Sequence, residues 1–323
     1  MKRIIITIVS LLIITMGILL FKNDKKEEKI VVSEVTHSVF YTPWYVALEN
    51  GYFKDEGLDI EVILTPGADK VAASVLSKDA NIGFSGPEAT VYVFNNSNER
   101  LISFASLTKR DGQFIVGPCE LKDKFKMENI KNKTVLAGRS GGMPLLMFKY
   151  ALKNSDINEK DVNIDTSVEF ASLSGAFIAK QGEFVNLFEP TALKIEKENY
   201  GCVLTSLGNI SGKVPYTTFY AKKEYIENNK DKIKKFNKAL NRGIKFVKIN
   251  DSETIANAIR NQFSDLSIED LTSVIERYKN ADSWYDNTYI DVKDYDRLLD
   301  IMLYGKTIDK KVDINLLITN EFN

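Results

Sequence analysis

Residues 36–64, THSVFYTPWYVALENGYFKDEGLDIEVIL, decide how this chain is read, and they follow directly on the apolar run Ile30-Val31-Val32. The order is strand, loop, helix, strand. Residues 30–35 form a short β-rich run, and the polar, aromatic loop 37–42 ends at Thr42-Pro43, a hydroxyl cap followed by proline at the first helical position. Tyr45, Leu48 and Tyr52 recur at spacings of three and four, which marks one apolar helix face. Gly51 and Gly57 both suit C-caps, so a two-part helix is expected. Residues 59–64 then alternate Ile60, Val62 and Leu64 with Asp59, Glu61 and Ile63, the pattern of a half-buried strand. Two strands joined through a helix predict a parallel α/β sheet, in which ligands sit at the carboxyl ends of the strands. Phe40, Tyr41 and Trp44 lie at such a junction, where aromatic rings either stack a flat ligand or pack on neighbouring loops.

The chain of 323 residues balances 43 Lys and Arg against 44 Asp and Glu, a net charge of -1. No overall field therefore selects nucleic acid or another polyanion as a partner. A single histidine, His37, argues against histidine-based metal sites, and a Ser-His-Asp triad would have to use it in a sequence with no Gly-x-Ser-x-Gly elbow. Neither a metal nor a cofactor is expected. Cys119 and Cys202 are too few for a disulfide framework, and either pair or remain as free buried thiols.

At the N-terminus, Lys2-Arg3 precede a nearly unbroken apolar block at 4–21, followed by the almost wholly charged run 22–29. Such a block is a signal peptide or an anchor; spanning a membrane takes ~17–25 residues, and this one is just long enough. With no clear small-x-small cleavage site near Phe21, an uncleaved hydrophobic helix that tethers the protein to the membrane is expected. No cysteine precedes Cys119, so a lipoprotein is not. The remaining ~290 residues exceed the usual size of a single core and imply two lobes.

Residues 45–59, YVALENGYFKDEGLD, resemble the YVALEKGYFxxxGLD signature of periplasmic-type solute-binding proteins in the nitrate, sulfonate, taurine and thiamine-pyrimidine-precursor group. The resemblance implies an α/β, two-lobed periplasmic binding protein fold of type II, each lobe a mixed sheet flanked by helices. It divides the chain into an anchor and linker at 1–29, a first lobe at 30–112 and 214–323, and a second lobe at 113–213. It implies extracytoplasmic capture of a small solute for an ABC importer, with permease and ATPase subunits as partners and no catalysis.

The candidate site residues follow from turns at strand ends. Tyr41, Thr42 and Trp44 stand in the first. Gly86-Pro87-Glu88 opens a second helix, whose unpaired N–H groups suit polar ligand atoms while Glu88 serves as an acceptor or merely complements the helix dipole. Arg110, in the charged turn 108–113, offers a guanidinium for an anionic ligand or for an Asp111 ion pair. Arg139, Ser140, Gly141, Gly142 and Met143 form a glycine-rich strand-to-helix loop that is neither a Walker A loop nor a dinucleotide fingerprint. The segment LFEPTA at 187–192 resembles the family step in which the second lobe faces the first, placing Glu189 as a second acidic wall. Tyr216 stands at the start of the extended segment 215–221, which resembles the family's return crossover between the lobes.

Tyr41, Trp44 and Tyr216 for stacking, with Glu88 and Glu189 as acceptors, favour a small heteroaromatic solute. The pyrimidine branch carries an acid-tryptophan pair at the first strand end and a histidine four residues before the signature tyrosine; here Glu34-Val35 and Tyr41 stand in those places. Two other readings compete, a pyrimidine-synthase-like enzyme on the same fold and a ligand-sensing adaptor. The enzyme relatives depend on a cysteine-rich motif and histidines that this chain lacks.

Overall fold

The computed structural model describes residues 29–138 and 140–323; the apolar block 4–21 with its expected helix, and Arg139, lie outside the described residues. Ten strands are β1 (Ile30–Glu34), β2 (Ile60–Leu64), β3 (Ile82–Ser85), β4 (Leu101–Thr108), β5 (Phe114–Gly117), β6 (Thr134–Leu136), β7 (Asn163–Asp165), β8 (Phe184–Leu187), β9 (Cys202–Ser206) and β10 (Thr217–Lys222). They build two five-stranded sheets, ordered β2-β1-β3-β10-β4 and β7-β6-β8-β5-β9.

In the first sheet β1 runs parallel to β2 and β3, while β10 is antiparallel to β3 and β4. The second repeats the scheme, with β6 parallel to β7 and β8, and β5 antiparallel to β8 and β9. Strands linked through helices within a half come out parallel. The strand that enters from the other half, β5 outward and β10 on return, arrives at the tips and so must run the opposite way.

The two crossing segments, 109–113 and 212–216, lie side by side. Tyr216 N–H donates to Thr108 O at 2.9 Å, Val214 N–H to Lys109 O at 3.0 Å, and the Thr108 hydroxyl to the Thr217 hydroxyl at 2.8 Å. At the ends of β5 and β9 away from the crossings, Cys119 and Cys202 form a disulfide, brought together because Gly117 pairs with Cys202 across β5 and β9.

The opening helix spans Thr42–Glu49, with Tyr41 rather than Thr42 as its cap residue, and a second short helix, Tyr52–Asp55, follows Gly51 in left-handed conformation. The expected two-part helix is thus present. Gly243 of the helix Lys230–Ile249 lies so close that a Cβ there would overlap the Pro43 carbonyl. The alternation at 59–64 does make a strand, but β2 is an edge, and Leu64 is 57% exposed. Beyond β10 the chain is helical, and the helices Lys223–Asn228 and Lys230–Ile249 are separated at Asn229. The helices Ile268–Asn280 and Val292–Tyr304 follow, capped by Ser267 and Asp291.

Candidate functional site

The site is built at the strand tips where the two halves meet. After β1, Ser38 accepts the Phe40 N–H at 3.2 Å and starts the 3-10 turn Val39–Tyr41. This turn presents Phe40 and Tyr41. Phe40 touches the other half directly, its ring 5.6 Å from Phe188, and also meets Tyr216 at 5.8 Å and Tyr278 at 5.2 Å. Trp284 fixes it by donating its indole N–H to the Phe40 carbonyl at 2.7 Å. Tyr41 stacks obliquely on Phe84 at 4.3 Å, and burial raises its phenol pKa against the pull of the neighbouring Thr217 hydroxyl.

Beside these rings lies a set of buried polar groups whose hydrogen-bonding capacity is incompletely used. Asp111, 1% exposed, accepts the Gln113 N–H on Oδ1 at 2.7 Å, while Oδ2 has no well-aligned partner among the described residues beyond the facing Tyr216 hydroxyl. Gln113 donates Nε2 to the Asn186 carbonyl at 3.2 Å, which leaves its Oε1 unpartnered. Both side-chain atoms of Asn186 and the Tyr216 hydroxyl are also buried without a well-aligned partner. Burial pushes the Asp111 carboxyl up to about 8, opposed by the Gln113 N–H and the facing Tyr216 hydroxyl. Native interiors pair nearly all such groups, so a cluster drawn from both crossovers and from β8 marks a place for a polar partner.

Each candidate from the sequence has a definite place. Tyr41, Glu88 and Tyr216 come together: Glu88 is buried in the first turn of the helix Glu88–Asn96 and lies close enough to raise the Tyr41 and Tyr216 phenols. A Cβ at Gly86 would overlap its carboxylate, so glycine there lets Glu88 fold back over the turn. Gly141 joins through its carbonyl, which accepts from the Tyr92 hydroxyl of that same helix at 3.0 Å, across the two halves. Gly142 caps the helix Met143–Asn154, and Met143 is buried in the apolar core; Ser140 is exposed. Arg139 lies outside the described residues.

Four expectations need correction. Trp44, 0% exposed, packs among Phe53, Phe84, Phe219 and Phe236 in the first half's core, because its position on the helix turns it inward, away from the tips. Thr42 is also buried, and its hydroxyl is consumed by the Val39 carbonyl at 2.6 Å. Arg110 turns away to pair with Asp282 at 3.3 Å, alongside Lys109 at 2.6 Å. Glu189 uses both carboxylate oxygens, one on Arg277 and one on the Leu193 N–H at 2.7 Å. It is a contact between the halves, not an open acceptor. Burial raises its pKa in spite of Arg277.

Sequence reasoning missed Gln113 and Asn186 as site residues, and gave Asp111 only an ion pair. A polar side chain inside the apolar strand Phe184–Leu187 is the signal that could have found Asn186. Nothing local marked Tyr278, whose ring reaches Phe40 from a helix far along the chain.

Two α/β halves, two adjacent crossovers and tips that close on shared polar groups define a two-lobed periplasmic binding protein fold. The alkanesulfonate-binding protein SsuA from Xanthomonas axonopodis pv. citri, bound to MOPS, aligns with a TM-score of 0.71 at 12% identity, covering 90% of this chain and 98% of that one. The periplasmic nitrate-binding protein NrtA from Synechocystis PCC 6803 aligns at 0.68 with 14% identity, over 91% and 86%. At these identities the likeness is one of fold. YtlA of Bacillus subtilis (strain 168), whose name provisionally gives it a binding role and specifies no ligand, is 37% identical over 302 residues, 93% of this chain and 90% of YtlA. The profile of the family described as NMT1/THI5 like matches residues 39–254, and the chain belongs to that family.

Proposed function

We propose that this protein is the extracytoplasmic solute-binding component of an ATP-driven importer. It captures a small polar or heteroaromatic solute between its two lobes, performs no chemistry on it, and presents the closed form to permease and ATPase subunits. The apolar block 4–21 tethers it to the membrane. The observation that carries this reading is the convergence of Asp111, Gln113, Asn186 and Tyr216, from two crossovers and a facing strand, with unused hydrogen-bonding atoms.

Separation of the halves about residues 109–113 and 212–216 would expose these groups to solvent. A solute that bridges them favours closure by as much as it binds the closed form better than the open one. The name of YtlA and the ligands named for the fold's neighbours support a binding role. The disulfide supports an oxidising compartment. His37, which a synthase would need as a reactive imidazole, is engaged with Glu34 at 3.1 Å and the Gln262 carbonyl at 2.8 Å, and stacks on Phe263.

The test is a thermal-shift screen of the full chain against pyrimidines, flavin precursors, sulfonates and nitrate. A true ligand raises the melting temperature and loses that effect in both Asn186→Ala and Tyr216→Phe. A ligand whose effect survives both substitutions refutes the site, and with it the capture mechanism.

A further inference from the structure

The donors and acceptors at the tips are not balanced. Among the described residues, Gln113 Oε1 and Asn186 Oδ1 are acceptors without a partner and Asp111 Oδ2 has only the facing Tyr216 hydroxyl, whereas Asn186 Nδ2 is the donor left without one. The assignment of Gln113 is fixed by its amide donating to the Asn186 carbonyl. Among the described residues, the charged ends of the cationic side chains nearest in the chain pair elsewhere: Lys109 Nζ and one Arg110 terminal nitrogen with Asp282, leaving Arg110 Nε buried without a partner, and Arg277 with Glu189 and Glu196. The rings of Phe40, Phe188, Tyr216 and Tyr278 pack on one another beside these groups, tilted or edge to face, with centroids 5.2 to 6.4 Å apart. Ring faces attract cations, and a buried carboxylate without a cation is electrostatically incomplete.

We propose that the solute captured here is a compact, planar organic cation rich in N–H donors, of the amidinium or guanidinium type, with Asp111 as its counter-charge. This deepens the solute-capture reading and rests on it. The cation's N–H groups satisfy Asp111 Oδ2, Gln113 Oε1 and Asn186 Oδ1, and its plane lies against the tyrosine and phenylalanine faces.

The acid-base behaviour of Asp111 gives the proposal a distinctive signature. The groups that face it are Gln113, Tyr216 and Tyr278, with Glu88 and Tyr41 beyond Tyr216, and Glu189 with its partner Arg277 beyond Tyr278. With the carboxyl held up to about 8, a cation must displace its proton below that pH. Affinity for a cation then rises about tenfold per pH unit between pH 6 and 8 and levels off above.

Calorimetric titration of the full chain with three compounds of one shape tests this: benzamidinium, neutral benzamide and anionic benzenesulfonate. The expected result is binding of benzamidinium alone, with affinity about a hundredfold higher at pH 9 than at pH 6. Asp111→Asn is expected to abolish that pH dependence, and Asn186→Ala to weaken binding at every pH. Tighter binding of benzamide or benzenesulfonate that Asn186→Ala removes overturns the cation assignment and leaves solute capture standing. Binding of benzamidinium with no pH dependence also overturns it. Binding of none of the three overturns the assignment, whereas solute capture is judged by the broader screen and its own two substitutions.

Discussion

Arg277→Ala acts on a contact that joins the two halves. Arg277, in the helix Ile268–Asn280, gives one arm of its guanidinium to Glu189 and the other to Glu196 at 2.7 Å. Around the same point the Glu189 N–H donates to the Tyr278 hydroxyl at 3.0 Å, and Lys197 pairs with Asp270 at 2.8 Å. The Glu189 side chain is 0% exposed, and that of Arg277 is 25% exposed. Removing one partner of a buried pair costs roughly 3–5 kcal/mol, but partial exposure of Arg277 reduces this, and about 2 kcal/mol is a fair expectation.

Where that cost falls is informative. In an opened form Glu189 regains water, so the penalty falls on closure and not on the folding of either half. About 2 kcal/mol corresponds to a roughly 30-fold change in the closing equilibrium and in solute affinity. Small-angle scattering of the variant would show a larger radius of gyration, with thermal unfolding shifted little. Arg277→Lys, which keeps the charge but not the two-armed fork, would fall between. An unchanged scattering curve together with unchanged affinity would refute the assignment of Arg277 as a latch. So would a large loss of melting temperature without opening.

Breaking the disulfide, by reductant or by Cys119→Ser with Cys202→Ser, removes a cross-link over a sequence separation of 83. Chain entropy sets the loss at about 4–5 kcal/mol as an upper figure, read as a lower denaturant midpoint; no change would mean that the thiols do not pair in solution. Trp44→Ala opens a cavity in a fully enclosed ring cluster and should destabilise by about 3–5 kcal/mol, while the conservative Trp44→Phe leaves solute affinity unchanged. If Trp44→Phe instead abolished binding at constant stability, the inward placement of Trp44 would be wrong. His37 is held above its usual 6.5, chiefly by the hydrogen bond to Glu34. Its stabilisation is complete below the unfolded pKa of about 6.5 and is lost as pH rises through the higher folded value. Melting temperature should therefore fall more steeply through that window in the parent than in His37→Gln; parallel profiles would remove His37 from the linkage.

The tips of the strands were legible because turn chemistry is local. Thr42-Pro43 announces a helix start, so Tyr41 could be placed at a junction, and Tyr216 followed from the return segment. Trp44 shows the limit of that method. Three residues beyond Tyr41 it sits nearly one helical turn on, and which side of the turn meets solvent depends on the helix Lys230–Ile249 packed against it through Gly243. Arg110 and Glu189 were recognised as charged groups in strategic turns, but their partners, Asp282 and Arg277, lie far along the chain. A salt bridge is a property of two positions, and one sequence window contains only one of them.

By itself, then, chain length implied two lobes, apolar runs, caps and glycines placed the loops at strand ends, and the resemblance of residues 45–59 implied which of those loops face each other, because dihedral preference and periodicity act only within a few residues. Only the tertiary structure decided which polar groups at that meeting place are satisfied and which are not. Asp111, Gln113, Asn186 and Tyr216 are unremarkable in the sequence. They become one buried polar cluster when β5, β8 and β10 bring them together and burial takes away their water.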